Sequence, residues 1–247
     1  MDRARRRRLA EELAAKIVLA RKDVRAVILF GSVARGDDLP DSDVELRVVA
    51  AKGPWEPTRF LLDGILFSVY WTRWPSLMHG MLEPDGDAQR RGFLAGVALY
   101  DPEGLFRKLY ARVAALPPSF YPKSAEEALF QAYEYVCKAR NARRRGDRAN
   151  LEYGARVAAY NLASVVALVN RRHFTSENTV SSEWREFPDL PRGFDRIAAI
   201  LDGGTSDRRL AEDTEALWRI TRDWAARRGV RLRTVRSLRE VRIPKTT

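Results

Sequence analysis

Apolar residues recur every three to four positions from Arg5 to Ala20, where Leu9, Leu13, Ile17 and Leu19–Ala20 form a loose stripe. The spacing predicts an amphipathic helix. Val27 to Phe30 is a short apolar run that stops at Gly31, so it reads as a buried strand ending in a tight turn. Asp43 to Val49 alternates: Val44, Leu46 and Val48 share one face, and Asp43 and Glu45 share the other. Gly53-Pro54-Trp55-Glu56-Pro57 is a loop by its breakers. Arg59 to Leu62 and Ile65 to Trp71 predict two strands joined through Asp63-Gly64, a favoured hairpin pair. In the second, Ile65, Phe67, Val69 and Trp71 face one way, and Leu66, Ser68 and Tyr70 the other. Short helical pieces are expected at Leu77–Leu82 and Ala88–Gly92, then a last strand over Gly96–Tyr100 ended by Asp101-Pro102-Glu103-Gly104.

Leu105 to Leu116 is expected to be helical, and the three prolines of Pro117-Pro118-Ser119-Phe120-Tyr121-Pro122 make the best linker in the chain. Beyond it the pattern is almost purely helical. Ser124 reads as an N-cap, with Glu126 and Glu127 in the first turn of a helix running to about Arg145. Gly146-Asp147 breaks it, and Ala149–Asn170 forms the next. A loop bounded by Pro188 and Pro191 leads to helices over Phe194–Leu201 and Ser206–Arg227. From Gly229 a basic tail begins, in which Val230 and Leu232 suggest an edge strand. The reading is α+β: a mixed domain at 1–116 and a helical domain at 123–247. Gly154 to Val169 is apolar, but Arg156 and Asn161 interrupt it and it is short for a membrane span, so it reads as a core helix.

Composition narrows the picture. Hydrophobic content of 45% with 10% aromatics belongs to a globular chain. Two histidines and the single Cys137 allow neither an intrachain disulfide nor a zinc cluster. The charged start lacks the apolar stretch of a secretory signal, so a soluble, cytoplasmic protein without membrane contact is expected. The four arginines Arg5 to Arg8 read as a solvated face. A net charge of +11 and a pI near 10.1 suit polyanionic partners such as nucleotides or RNA, unless arginine merely coats the surface.

The chemistry concentrates in Leu29-Phe30-Gly31-Ser32-Val33-Ala34-Arg35-Gly36 and Asp41-Ser42-Asp43-Val44-Glu45. Gly31 lets the backbone approach a ligand, Ser32 offers a hydroxyl, and Arg35 a fixed positive charge. Asp43 and Glu45 side by side repel each other unless a cation lies between them, and such oxygen ligands suit Mg²⁺. A phosphate cradle beside an acidic pair is the equipment of metal-assisted nucleotidyl transfer. The arrangement resembles the DNA polymerase β-type nucleotidyltransferase superfamily, whose mark is a Gly-Ser turn followed by an acidic pair on the next strand.

Further along, Glu134, Lys138 and Asn141 form one polar helix face, by itself an ordinary exposed pattern. With Tyr135 and Arg140 it resembles the signature of the kanamycin nucleotidyltransferase-like family, as do Asp189-Leu190-Pro191, Gly193-Phe194-Asp195 and the Trp218, Trp224, Gly229 ending. The resemblance covers Val24 to Gly229. It implies a polymerase β-like domain followed by a helical bundle, and transfer of a nucleoside monophosphate from ATP or another triphosphate to a hydroxyl of a small acceptor, an aminoglycoside among the options. By resemblance Gly31, Ser32, Arg35 and Lys138 would bind the nucleotide, and Asp43 and Glu45 would bind Mg²⁺. Glu134 would be the general base, in an interdomain cleft that relatives build across a homodimer. Two departures stand out. Ser68 occupies the position of a third family carboxylate, and Phe130 and Gln131 precede Glu134 in a strongly basic chain. The competing readings are an RNA or protein acceptor, as in toxin–antitoxin nucleotidyltransferases, and a nucleotide-binding homologue without turnover.

Overall fold

A computed structural model describes residues 3–83, 90, 93–234 and 236–237. The chain divides into two compact units, Met1–Tyr121 with Arg172–Glu183, and Pro122–Arg171 with Trp184–Thr247.

The first unit is built on a sheet of five strands among the described residues: β1 (Val24–Phe30), β2 (Val44–Ala50), β3 (Thr58–Leu62), β4 (Ile65–Thr72) and β5 (Val97–Tyr100). Their order is β3-β4-β2-β1-β5, and only β2 and β4 run parallel. The β3–β4 hairpin turns on Asp63 (φ 51°) and Gly64 (φ 78°), the paired positive φ values of a two-residue type I′ turn. Strand alternation splits the core in two. Val44, Leu46, Val48, Ile65, Phe67 and Val69 pack with Ala10 and Ala14 of helix α1 (Arg3–Ala20). Ala26, Ile28 and Val49 face the other side, where Leu77 and Met81 of α3 (Trp74–Leu82) and Leu109 and Val113 of α4 (Leu105–Ala114) close over them. Between β1 and β2 lies the one-turn helix α2 (Gly31–Arg35). Asp101 caps α4 by accepting from the Leu105 (2.6 Å) and Phe106 (3.1 Å) amides.

Helix α1 departs from expectation at both ends. Leu19, expected in the apolar stripe, is 75% exposed, and Ala10 and Ala14 are buried instead. Arg6, expected in a solvated arginine face, is fully buried. Its guanidinium donates to Asp38 at 3.0 Å and to the Pro40 carbonyl, fastening the loop that leads into β2. A charge this deep persists because its partners replace water. Ala88, Gln89, Arg91 and Gly92 of the expected helical piece lie outside the described residues.

The second unit is helical. Helix α5 (Phe120–Arg144) starts before Ser124, which is buried inside it and is not its cap. Pro122 fits in the first turn because the first amides of a helix have no intrahelical acceptor to lose. Helix α6 (Arg148–Val169) is capped by Asp147, which accepts from the Asn150 amide at 3.1 Å. It crosses α5 closely: a Cβ on Gly154 would lie 3.0 Å from the Ala139 nitrogen. After α7 (Val180–Glu183), which belongs to the first unit, come α8 (Arg196–Asp202) and α9 (Asp207–Arg227). Ser206 caps α9 as its position suggests, accepting from the Arg209 amide at 3.3 Å. Buried Asp213 joins α8 to α9 through Arg196 (2.8 Å) and Arg209 (2.7 Å). Residues 230–234 form no strand, correcting the expected edge strand. None of the described helices is long and apolar enough to cross a membrane.

Arg6→Met should destabilise the first unit by about 3–5 kcal/mol in urea unfolding, because it breaks the buried Arg6–Asp38 ion pair. Arg6→Met/Asp38→Leu should recover much of that loss.

Candidate active site

Gly31 follows β1 directly, with φ +69°. This left-handed conformation suits glycine, and a second reason excludes a side chain: a Cβ here would lie 2.6 Å from Glu45 Oε2. The Glu45 carboxylate therefore rests against the backbone at the start of α2. Strand register explains the contact, since Glu45 sits opposite Phe30 on β1 and beside Ser68 on β4. Ser68 is buried, so serine is the neighbour of Glu45 on that side.

The turn expected after Phe30 is helix α2, closed by the Gly36 and Asp37 amides donating to the Ser32 carbonyl at 2.8 and 3.2 Å. Ser32 is half-buried on this helix. Arg35, at its end, donates to Asp37 at 3.0 Å. The chain then runs through the Arg6-anchored segment, where the Leu39 amide donates to Ser42 Oγ at 2.8 Å. Asp43 follows, one residue before β2 begins at Val44.

Asp43 and Glu45 influence each other electrostatically. Burial, first, and the Asp43 charge, second, push Glu45 above the usual carboxylate range, while Arg47 and Arg35 pull it back. Sequence reasoning missed Arg47, although its position two residues after Glu45 puts both on one strand face. Its guanidinium lies 5.4 Å from the Phe30 ring centre. Burial lowers its own proton affinity, which Tyr70 and Glu45 partly restore. Among the described residues no group of three or more His, Cys, Asp or Glu forms a metal cage.

In the helical unit, Lys138 Nζ lies 2.7 Å from Glu134 Oε1, both side chains about half exposed. Lys138 also sits 4.1 Å from the centre of the Tyr135 ring. Its proton affinity is raised, chiefly by the hydrogen bond to Glu134. Tyr135 meets Tyr153 edge-on at 6.0 Å. The remaining signature residues point elsewhere: Arg140 grips Glu215 with two bonds of 2.5 and 2.8 Å, and Asn141 accepts from Arg144 at 3.3 Å. The Asp189 and Trp224 motifs meet in space, because Asp189 accepts from Trp224 Nε1 at 3.3 Å and from Arg228 at 2.5 and 2.6 Å. So Gly31, Ser32, Arg35, Asp43 and Glu45 gather in the first unit, and Glu134 and Lys138 pair in the second.

Comparison with known proteins bears on both units. Residues 103–231 match the KNTase C-terminal domain, and residues 11–65 match the nucleotidyltransferase domain. The chain is 26% identical, over 93% of each sequence, to proteins named aminoglycoside nucleotidyltransferase (4') from Staphylococcus aureus and from a Bacillus species. Its fold resembles the crystal structure of a nucleotidyltransferase-like protein from Exiguobacterium sibiricum, with a TM-score of 0.55 at 14% identity, covering 89% of this chain and 77% of that one.

The raised Glu45 carboxyl has a stability consequence whose sign is fixed. Between the ordinary carboxylate value and its own, folded Glu45 keeps a proton that the unfolded chain releases, so stability falls as pH rises through that window. Glu45→Gln should therefore melt higher than wild type at neutral pH without divalent metal, and the gap should close in acid. Thermal scans across pH test this directly.

Proposed function

Because the chain belongs to the kanamycin nucleotidyltransferase (KNTase) family of nucleotidyltransferases, we propose that it transfers AMP from ATP to a hydroxyl of a small acceptor, using Mg²⁺. The observation that carries the reading is the Glu45 carboxylate, held against Gly31 next to Ser32 and charge-coupled to Asp43. Asp43 and Glu45 would hold Mg²⁺, which when bound neutralises phosphate charge and orients the triphosphate.

The chain's own residues have distinct tasks. Ser32 and the Gly31 backbone bind phosphate oxygens, and glycine at residue 31 leaves the space that the Glu45 carboxylate occupies. Arg35 adds fixed positive charge that stays available because guanidinium does not titrate near neutrality. Glu134 takes the proton from the acceptor hydroxyl as its oxygen bonds to the α-phosphorus of the triphosphate and the bond to the departing pyrophosphate breaks. Lys138, 2.7 Å away, orients the Glu134 carboxylate and can turn to phosphate. Such chemistry depends mainly on positioning and charge stabilisation.

The relatives are named aminoglycoside nucleotidyltransferase (4'), so a polycationic amino sugar is the first acceptor to test. Buried Ser68 and the net charge of +11 weaken attraction for a polycation and favour a less charged hydroxyl compound. RNA or protein acceptors form the second arm of the same assay. The working form is a homodimer; a mass of 28.2 kDa in light scattering at all practical concentrations would count against that.

Product mass spectrometry after incubation with ATP, Mg²⁺ and aminoglycosides, other hydroxyl compounds or RNA identifies the acceptor. Calorimetry should show Mg·ATP affinity collapsing in Asp43→Asn/Glu45→Gln, and wild-type binding by that variant would sink the site assignment. Glu134→Gln should slow transfer by about 10²–10⁴-fold while nucleotide affinity stays within a few fold.

A further inference from the structure

Trp55 and Trp71 stand far apart in sequence but line one cavity of about 370 Å³, together with Thr72, Arg73 and Ser76. Nothing in the transfer reaction uses it. Trp71 pairs with Val48, three residues along the strands from the Glu45–Ser68 pair, or roughly 10 Å. It packs on the α1 side of the sheet with Val48, whereas Glu45 alternates to the opposite face. The cavity is thus separate in position from the acidic pair.

Each aromatic wall is held in place. The Trp71 indole donates to Thr58 Oγ1 at 3.1 Å, and Arg21 lies 5.0 Å from its ring centre. Arg21 is fixed in turn by Asp23 (2.9 Å) and the Lys52 carbonyl (2.6 Å). Trp55 keeps an unusual backbone, φ 56°, that a bulky residue adopts only when its surroundings impose it. Its ring lies over Gly53, where a Cβ would come within 3.2 Å of it. Arg73 reaches 4.7 Å from the Trp55 ring centre, and among the described residues no carboxylate pairs with it.

We propose that this cavity is a second ligand site that takes one nucleotide unit, its base against the indole walls and its phosphate on Arg73. Indole faces accept any base by stacking, and Arg73, which among the described residues has no carboxylate partner, can leave the Trp55 ring to meet the phosphate. The volume is at the small end of ligand pockets and suits a single unit. A free mononucleotide and one residue of a single strand present the same chemistry.

The test uses the full-length protein in EDTA, with AMP by calorimetry and a fluorescein-labelled single-stranded RNA decamer by anisotropy. Trp55→Ala and Arg73→Gln should each weaken binding about tenfold or more. Trp55→Phe should retain most of it, and Asp43→Asn/Glu45→Gln should bind like wild type. RNA binding alone assigns the site to single strands, and AMP binding that competes with RNA assigns it to the nucleotide itself. Both support the site. The proposal is overturned if wild type binds neither ligand, or if Trp55→Ala and Arg73→Gln bind as tightly as wild type. Thermal melting checks the fold of each variant, and Arg73→Gln carries the test alone should Trp55→Ala unfold.

Discussion

The acidic pair depends on an arginine that touches neither of its members. Arg6, fully buried on α1, holds Asp38 and the Pro40 carbonyl, and so fixes the segment between α2 and β2. Helix and sheet could pack without that pairing, but Asp43 would then enter β2 from an unanchored loop. Breaking a buried ion pair costs more than forming it contributes, so the arrangement is held by the penalty of its own disruption. The constraint also sets how Asp43 and Glu45 meet.

In the first unit one face of the sheet carries core alone, and the other combines core with the polar groups of β2. On the α1 side, Val44, Leu46 and Val48 pack against Ala10 and Ala14, whose small side chains bring the helix close. On the opposite face the same strand carries Glu45 and Arg47, with Ser68 beside Glu45 and Tyr70 beside Arg47. Period-two alternation makes one strand both core and site. Arg47 matters here because a buried guanidinium tempers the repulsion that Asp43 imposes on Glu45. The face holds two acids and one base, less negative than a three-carboxylate face would be.

The helical unit follows a different logic. Its signature residues divide between a half-exposed pair, Glu134 and Lys138, and structural links such as Arg140–Glu215 and Asp189–Arg228. The links join segments distant in sequence, and the Glu134–Lys138 pair stays half exposed. Helical spacing alone does not distinguish the two uses, since a family pattern records both in the same letters.

The sequence by itself determined much of this protein. Alternation from Val44 to Val48, the Asp63-Gly64 turn and the hydrophobic spacing of the long helices are local properties, written in residues that touch their near neighbours. The juxtaposition of Gly31-Ser32 with Asp43 and Glu45 was also legible, because a short connection between antiparallel strands leaves few ways to arrange them. What the tertiary structure alone decided involves partners far apart in the chain. Arg6 looks like one of four surface arginines until Asp38 and Pro40 close over it. Ser124 looks like a helix cap until Pro122 proves compatible with an earlier turn. Arg47 and the Trp55–Trp71 cavity emerge only from strand register and loop placement. Burial is a collective property of packed elements, so the residues whose charge or shape is changed most by burial are those that sequence periodicity describes least.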